Sequence, residues 1–272
     1  MTKTLKHLNA IVFDWAGTTV DHGSCAPAIV FQEIFRQRGV KVTAAQAREP
    51  MGMAKRAHIA TVVAMPSVAK SWEEKYGSPC SDADIDAMYA DFLPLQKKTL
   101  KDHSQLIPGV AEAIQECRAL GLKIGSSTGY THELMESVTA AAKEQGYEPD
   151  CLVCSEDAPA GRPAPYLLYE VSKQLEVYPL WSMIKVDDTP VGIEAGRNAG
   201  CWTVAITRTG NCVGLSEQEV EAISPAELQE KCQAAEERFH AAGAHIIIES
   251  VADIVEVVHE IEARMERGEM PV

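Results

Sequence analysis

Apolar and polar positions along the chain follow two alternating periods. Short, mostly apolar runs at Ala10–Phe13, Leu122–Ser126, Cys151–Cys154, Met183–Val186, Cys201–Ile206 and His245–Ile248 predict buried strands. Between them, apolar residues recur at three- and four-residue spacing. That pattern predicts helices over Pro108–Gly121, Thr131–Gln145, Pro165–Leu175, a short stretch ending at Gly200, Pro225–Ala242 and Val251–Arg267. Strands alternating with helices predict a parallel sheet covered on both faces.

The segment after the first strand breaks this rhythm, because from about residue 22 to about residue 100 nothing reads as a strand. A helix carrying Ile29, Val30, Ile34 and Phe35 runs from Pro27 to a stop at Gly39. Thr43 is placed to cap a short helix interrupted at Glu49-Pro50-Met51-Gly52, and a further helix over Met53–Ala64 ends at Met65-Pro66. Ser67 and Ser81 are expected to start two more, the second with Asp84 in a capping box. The expected fold class is α/β: a Rossmann-like parallel-sheet core from residues 1–21 and 101–272, with an α-helical cap inserted at 22–100. Both junctions flank the first strand, so the insert can close over that strand's end as a lid.

Length and composition fit this plan. The 272 residues suit a core with a smaller second unit, and 46% hydrophobic with 24% charged residues is ordinary for a globular protein. The net charge of −14 argues against a nucleic-acid or anionic-membrane surface, although local cations still allow a small anionic substrate. No apolar stretch approaches the roughly 20 residues of a membrane helix, and MTKTLKHLNA lacks the apolar centre of a secretory signal. The eight cysteines show no framework spacing, so reduced thiols and a cytoplasmic location are expected. Cys151-Leu-Val-Cys154 is the one CxxC; a strand would turn its thiols to opposite faces, and no second pair completes a zinc site.

The candidate chemistry lies at strand ends. Asp14 follows the first strand and opens a turn containing Gly17, Thr18 and Thr19, where open α/β sheets bind ligands; turn capping is the other reading. The second strand runs into Ser126-Ser127-Thr128-Gly129-Tyr130, a place for an N-cap or for phosphate oxygens. Asp187 and Asp188 end the fourth strand. Two buried acids there are costly unless paired or metal-bound, and with Asp14 they suit Mg²⁺. In the cap, Lys55 and His58 are three residues apart and share a helix face.

The run Phe13-Asp14-Trp15-Ala16-Gly17-Thr18-Thr19-Val20-Asp21 resembles the first motif of the haloacid dehalogenase superfamily. Most phosphatases of that superfamily have a second Asp where this chain has Ala16, and the version here is similar to the phosphonoacetaldehyde hydrolase (phosphonatase) family. Met51-Gly52-x-x-Lys55-x-x-His58, Thr128, Gly161-Arg162-Pro163 and Asp187-Asp188 extend the resemblance over nearly the whole chain.

The resemblance implies that Asp14 is a nucleophile toward phosphorus and that Lys55 forms a Schiff base with an aldehyde. It implies that Arg162 restrains the phosphoryl charge and that Thr128 binds it. Mg²⁺ would be held by Asp14, the Ala16 carbonyl and Asp188, with Asp187 direct or through water. Relatives often carry a further acid at the place of Gly192, and Glu194 would have to reach. His58 would assist proton transfer or be simply packed, while Met51, Gly52, Gly129 and Tyr130 would shape the substrate cleft. No role is assigned to Ser24 or Cys25, although relatives can carry a Cys at the first of these places.

The implied activity is hydrolysis of a small phosphonate within 2-aminoethylphosphonate degradation. Relatives form homodimers through the cap, which Met53, Ile59, Val62 and Val63 would serve if they are not core residues. A phosphate-ester hydrolase or phosphomutase on the same fold is the rival, opposed by Ala16 and Lys55. A non-catalytic binding protein is a second rival, opposed by the intact Asp14, Asp188 and Lys55.

Overall fold

Ala10–Phe13 forms β1, with every residue buried. In the computed structural model, which describes residues 5–271, β1 lies at the middle of a six-stranded sheet. Five helices follow it: α1 (Cys25–Gln37), α2 (Ala44–Arg48), α3 (Lys55–Ala64), α4 (Pro66–Tyr76) and α5 (Asp82–Leu100). The alternation then resumes with α6 (Val110–Ala119), β2 (Lys123–Ser127), α7 (His132–Glu144), β3 (Cys151–Val153), α8 (Tyr166–Leu175), β4 (Met183–Asp187) and α9 (Pro190–Ala199). It ends with β5 (Trp202–Ile206), α10 (Glu217–Ala222), α11 (Pro225–Ala241), β6 (Ile246–Ile248) and α12 (Ile254–Glu266).

All strand pairs are parallel, and the strand order is β3-β2-β1-β4-β5-β6. The chain therefore reverses direction across the sheet at β1, whose carboxyl end faces the crevice where ligands bind in such sheets. The expected α/β class and parallel sheet are both present. Alternation along β1 sorts its side chains, with Ile11 and Phe13 joining the large cluster under α6, α7 and α12. Ala10 and Val12 face the smaller cluster under α8. By the same period of two, Asp14 leaves β1 on the α8 side.

Helices α1 to α5 enclose an apolar cluster drawn from residues 28–92, which includes Phe31, Ile34, Phe35, Trp72, Met88 and Phe92. Ile59, Val62 and Val63 belong to this cluster, so three of the residues considered for a dimer surface are interior instead. Capping boxes start α2 at Thr43 with Gln46 and α5 at Ser81 with Asp84. Ser67 does not start a helix. Pro66 takes the first turn of α4, where its missing N–H costs nothing, and the Ser67 hydroxyl accepts a hydrogen bond from Gln46 Nε2 at 2.8 Å. Helix α10, unexpected from the apolar pattern, is six residues long with a single buried side chain, and a Ser216–Glu219 capping box starts it.

The two connections between sheet and helical insert are tied together. Asp21, buried and with a left-handed φ of 54°, accepts hydrogen bonds from Ala26 N at 2.9 Å on the outgoing strand of chain. Its other oxygen meets His103 Nδ1 at 3.0 Å on the returning one.

Phe31 stacks on His58 with ring centroids 3.6 Å apart and lies 4.7 Å from Phe92. Phe31→Ala is expected to cost about 3–5 kcal/mol of stability, the usual range for emptying a buried aromatic site, measured by chemical denaturation followed by circular dichroism.

Candidate active site

The carboxyl ends of β1, β2 and β4 bring charged groups to one edge of the sheet. Arg162, contributed by the loop after β3, is 4% exposed and grips Asp14 with both arms, Nη1 to Oδ2 at 2.9 Å and Nη2 to Oδ1 at 3.0 Å. Nη2 also donates to the Ser127 carbonyl at 2.6 Å, and Nη1 lies 3.2 Å from Asp187 Oδ2. Burial disfavours the guanidinium charge, but Asp14 and Asp187 outweigh it and hold the Arg162 pKa above its ordinary value.

Asp187 is gripped from all sides. Lys185 Nζ stands 2.9 Å from Oδ2, and Thr189 donates to Oδ1 from its N–H at 3.0 Å and its hydroxyl at 2.7 Å. Burial works to raise its pKa, yet Arg162 and Lys185 prevail and lower it. Asp188 has weaker support: the Thr18 hydroxyl donates to Oδ1 at 3.3 Å and Asn211 N to Oδ2 at 2.8 Å. Burial, then repulsion from Asp14 and Asp187, pushes its carboxyl well above the usual range. Gly17, at φ 82°, lets this turn approach; a Cβ there would overlap the Asp188 carboxylate.

Oxygens of Asp14, Asp187 and Asp188 all lie within 4.8 Å of one another, and all three residues are buried. A crowded, all-oxygen donor set whose like charges repel fits a hard divalent cation. Ala16 lines the adjoining cavity, beside the place its carbonyl was expected to serve. Gly192 explains the missing acid, since a Cβ at this position would overlap the carboxyl group of Asp187. The Asp187 carboxylate thus fills the room that a side chain on α9 would need. Glu194 is half-buried on α9 and is not a member of the carboxylate cluster.

The cap completes the cavity. Lys55, the first residue of α3, is 5% exposed, and its Nζ lies 4.6 Å from the centre of the Tyr130 ring and 5.6 Å from that of Phe31. Among the described residues no hydrogen bond or ion pair engages this ammonium. Burial is the main cause that brings its pKa down to about 8; Arg162 adds to the effect and Asp14 opposes it. Met51, Gly52, Thr128, Gly129 and Tyr130 line the same cavity as Asp14, Lys55 and Arg162. Its free volume is about 20 Å³.

Glycines let the cap loop seat on the core. Gly52, at φ 93°, abuts Thr189 and Val191, and a Cβ on Gly129 would crowd the Met53 carbonyl. Thr128 Oγ1 accepts from Tyr130 N at 3.1 Å, and Thr131, not Thr128, caps α7.

His58 is brought next to Lys55 in sequence but not to the cavity wall. Its ring is fully buried against Phe31, its Nε2 donates to the Ala47 carbonyl at 2.8 Å, and burial holds its pKa well below 6.5. That places the neutral ring in the cap core, behind Lys55, instead of at the reacting groups. Ser24 lines the cavity, whereas Cys25 lies outside it and meets Arg48.

Sequence reasoning missed four contributors. Lys185 had a visible signal, a lone cation within the buried run Met183-Ile184-Lys185-Val186. Thr18, Asn211 and Gln96, whose Nε2 donates to the Tyr130 hydroxyl at 3.4 Å, act through contacts between distant segments.

Lys55→Met should be more stable than the parent at neutral pH, because it removes a buried ammonium. In the parent, the unfolded chain keeps its lysine proton up to about 10.5 and the folded chain only to about 8. The unfolded state therefore binds more protons in this window, parent stability rises with pH, and the advantage of Lys55→Met shrinks from pH 8 upward. Denaturant titrations of both proteins at several pH values measure it. Gly192→Ala should displace the Asp187 carboxylate and weaken Mg²⁺ binding by at least about tenfold, the scale of disturbed metal-site supports, read by calorimetric titration.

Comparison with known proteins agrees with this architecture. Residues 8–200 match the family described as haloacid dehalogenase-like hydrolase. A phosphonoacetaldehyde hydrolase from Paraburkholderia phytofirmans is 48% identical over 267 residues, spanning 98% of this chain and 100% of the relative. One from Bacillus cereus is 45% identical over 255 residues, 94% of this chain and 97% of the relative. The crystal structure of a phosphonoacetaldehyde hydrolase-like protein from Oleispira antarctica superposes with a TM-score of 0.96 at 42% identity, over 100% of this chain and 99% of that one. A β-phosphoglucomutase from Clostridium difficile, at 15% identity and TM-score 0.66 over 95% and 98% of the two chains, shares the fold alone. On the strength of nearly full-length identity close to one half, the chain belongs to the phosphonoacetaldehyde hydrolase family of the haloacid dehalogenase-like hydrolases.

Proposed function

We propose that this protein hydrolyses the carbon–phosphorus bond of phosphonoacetaldehyde, giving acetaldehyde and phosphate. The observation that carries this reading is the meeting, in one buried cavity, of an amine without hydrogen-bond or ion-pair partners among the described residues, Lys55, and a strand-end carboxylate, Asp14. Names and identities of the relatives support the substrate assignment.

The bond to be broken explains why both groups are needed. Phosphonate carbon has no electronegative atom to leave on, so attack at phosphorus alone would expel a carbanion. Neutral Lys55 adds to the aldehyde carbonyl, and with uptake of one proton the adduct loses water to form an iminium. Asp14 then attacks phosphorus, the C–P bonding pair moves into the adjacent iminium, and the two-carbon unit departs as an enamine on Lys55. Protonation at carbon and hydrolysis of the imine release acetaldehyde. A second water cleaves the aspartyl phosphate.

Arg162, already paired with Asp14, aims the carboxylate and offers donors to the phosphoryl oxygens. Thr128 and the start of α7 provide further donors. Mg²⁺, held by Asp14, Asp188 and the Ala16 carbonyl with Asp187 in support, would supply charge neutralisation for the phosphoryl group. Ala16 leaves no acid beside Asp14, which suits a reaction without an ester oxygen to protonate. His58 supports Lys55 from behind.

A cavity of about 20 Å³ holds little more than one water, so substrate entry requires the cap to part from the core. The same reading includes a place in 2-aminoethylphosphonate degradation, a cytoplasmic location and a homodimer, all resting on family resemblance.

Acetaldehyde release from phosphonoacetaldehyde with Mg²⁺, coupled to alcohol dehydrogenase and NADH, tests the activity. Lys55→Ala is expected to abolish turnover in a protein that still folds, and turnover that survives would remove Lys55 from the mechanism. Activity confined to phosphate esters would move the protein to the phosphatase class. Borohydride trapping of acetaldehyde on Lys55, read by mass spectrometry, should accelerate as pH rises through about 8, where the ammonium gives up its proton.

A further inference from the structure

We propose that His132, Cys154 and Asp157 form a second metal site, chemically distinct from the carboxylate cluster, that takes a borderline divalent cation such as Zn²⁺ or Co²⁺. His132 is the first residue of α7, Cys154 directly follows β3, and Asp157 ends the short turn at residues 155–157. One imidazole nitrogen, the thiol sulfur and a carboxylate oxygen from these residues all lie within 4.8 Å of one another. His132 Nε2 is 2.8 Å from Asp157 Oδ1 and 3.0 Å from Oδ2. Donors around tetrahedral zinc stand about 3 to 4 Å apart, given bond lengths near 2.0–2.3 Å. Only small side-chain movements separate the present arrangement from a coordinating one.

The second coordination layer is already built. Asp157 Oδ2 accepts from Cys154 N at 2.7 Å, fixing carboxylate and cysteine relative to each other. Glu156 accepts from His132 N at 2.7 Å, which leaves an acid at the rim for a fourth ligand or its bound water. Cys154 is buried, while the His132 and Asp157 side chains are 55% and 27% exposed, so the soft donor lies at the bottom of a site open to solvent. The CxxC spacing is not the unit. Cys151 packs with the cluster on the α8 side of the sheet and Cys154 with the cluster on the other. A mixed nitrogen, sulfur and oxygen set selects against Mg²⁺, which prefers oxygen alone.

Burial pushes the Cys154 thiol up to about 12, so the thiolate forms only as the ion binds. The S–H proton passes to solvent, one per ion, and the Nε2 proton that now faces Asp157 must move through solvent to Nδ1 before the Nε2 lone pair can bind the ion. Ser155, between the ligands, donates its N–H at 3.0 Å and its hydroxyl at 3.1 Å to the Tyr130 carbonyl. An ion here would therefore brace the loop that carries Tyr130 into the cavity.

Co²⁺ titration of the full chain, with excess Mg²⁺ present to occupy the carboxylate cluster, tests the proposal through the near-ultraviolet thiolate-to-cobalt band. The expected result is one equivalent bound with one proton released. Cys151→Ser should leave this unchanged, and the exposed-site variant His132→Ala should weaken binding by at least about tenfold. Cys154→Ser should abolish the band; if that variant does not fold, Asp157→Asn takes its place and should weaken binding as His132→Ala does. Absence of the band in the parent, or a band unchanged in His132→Ala, would overturn the assignment.

Discussion

The two-armed ion pair between Arg162 and Asp14 joins segments 148 residues apart in the chain. Its partners are buried, so neither charge has water to fall back on. Breaking such a pair from one side leaves an uncompensated charge and costs about 3–5 kcal/mol. The same guanidinium reaches Asp187 and the Ser127 carbonyl, so one side chain ties together the ends of β1, β2 and β4. Lys185 serves Asp187 from within the sheet. At this sheet edge Arg162 and Lys185 thus stand against three buried carboxylates. The surplus negative charge falls on Asp188, whose neighbours are a hydroxyl and a backbone N–H. That imbalance is what suits the carboxylate cluster to a divalent cation.

Lys55 presents the opposite problem. Its ammonium is held over aromatic faces, which attract a cation without orienting or hydrating it. Desolvation draws its pKa down to about 8. Burying this ammonium costs stability, whereas the aromatic contacts beside it contribute to stability. The stacked Phe31–His58 pair and the Phe31–Phe92 contact fix the floor under α3. His58 is therefore part of that floor, a placement that its spacing from Lys55 does not by itself reveal.

Cap and core meet through small contacts that need close backbone approach. Gly52 sits against Thr189, Gly129 sits against the Met53 carbonyl, and Arg48 reaches Asn211. Asp21 and His103 cross-link the two connecting segments. Contacts of this kind seat the insert directly over the strand ends.

Local physics made much of this legible. The apolar run Ala10–Phe13 ending on Asp14, the capping residues Thr43 and Ser81, and the strand–helix alternation report short-range preferences that survive folding. The Met51-Gly52-x-x-Lys55 segment and the Gly161-Arg162-Pro163 turn were legible through the family resemblance that their residue types carry. The start of α4 and the whole of α10 were not legible: a proline displaced Ser67 from the cap position, and a short polar helix leaves too little apolar periodicity to read.

By itself, then, the sequence determined the order of the strands and of most helices, the helical run after β1 and the residues at the strand ends. Only the tertiary structure decided that Asp187 belongs to Lys185 and Arg162, that Gly192 makes room for it, and that His58 is a core residue. It alone also brought Cys154 together with His132 and Asp157. The physical reason is common to all four. Periodicity and capping act between residues a few positions apart, whereas the compensation of buried charge depends on which distant segments the sheet brings to one edge.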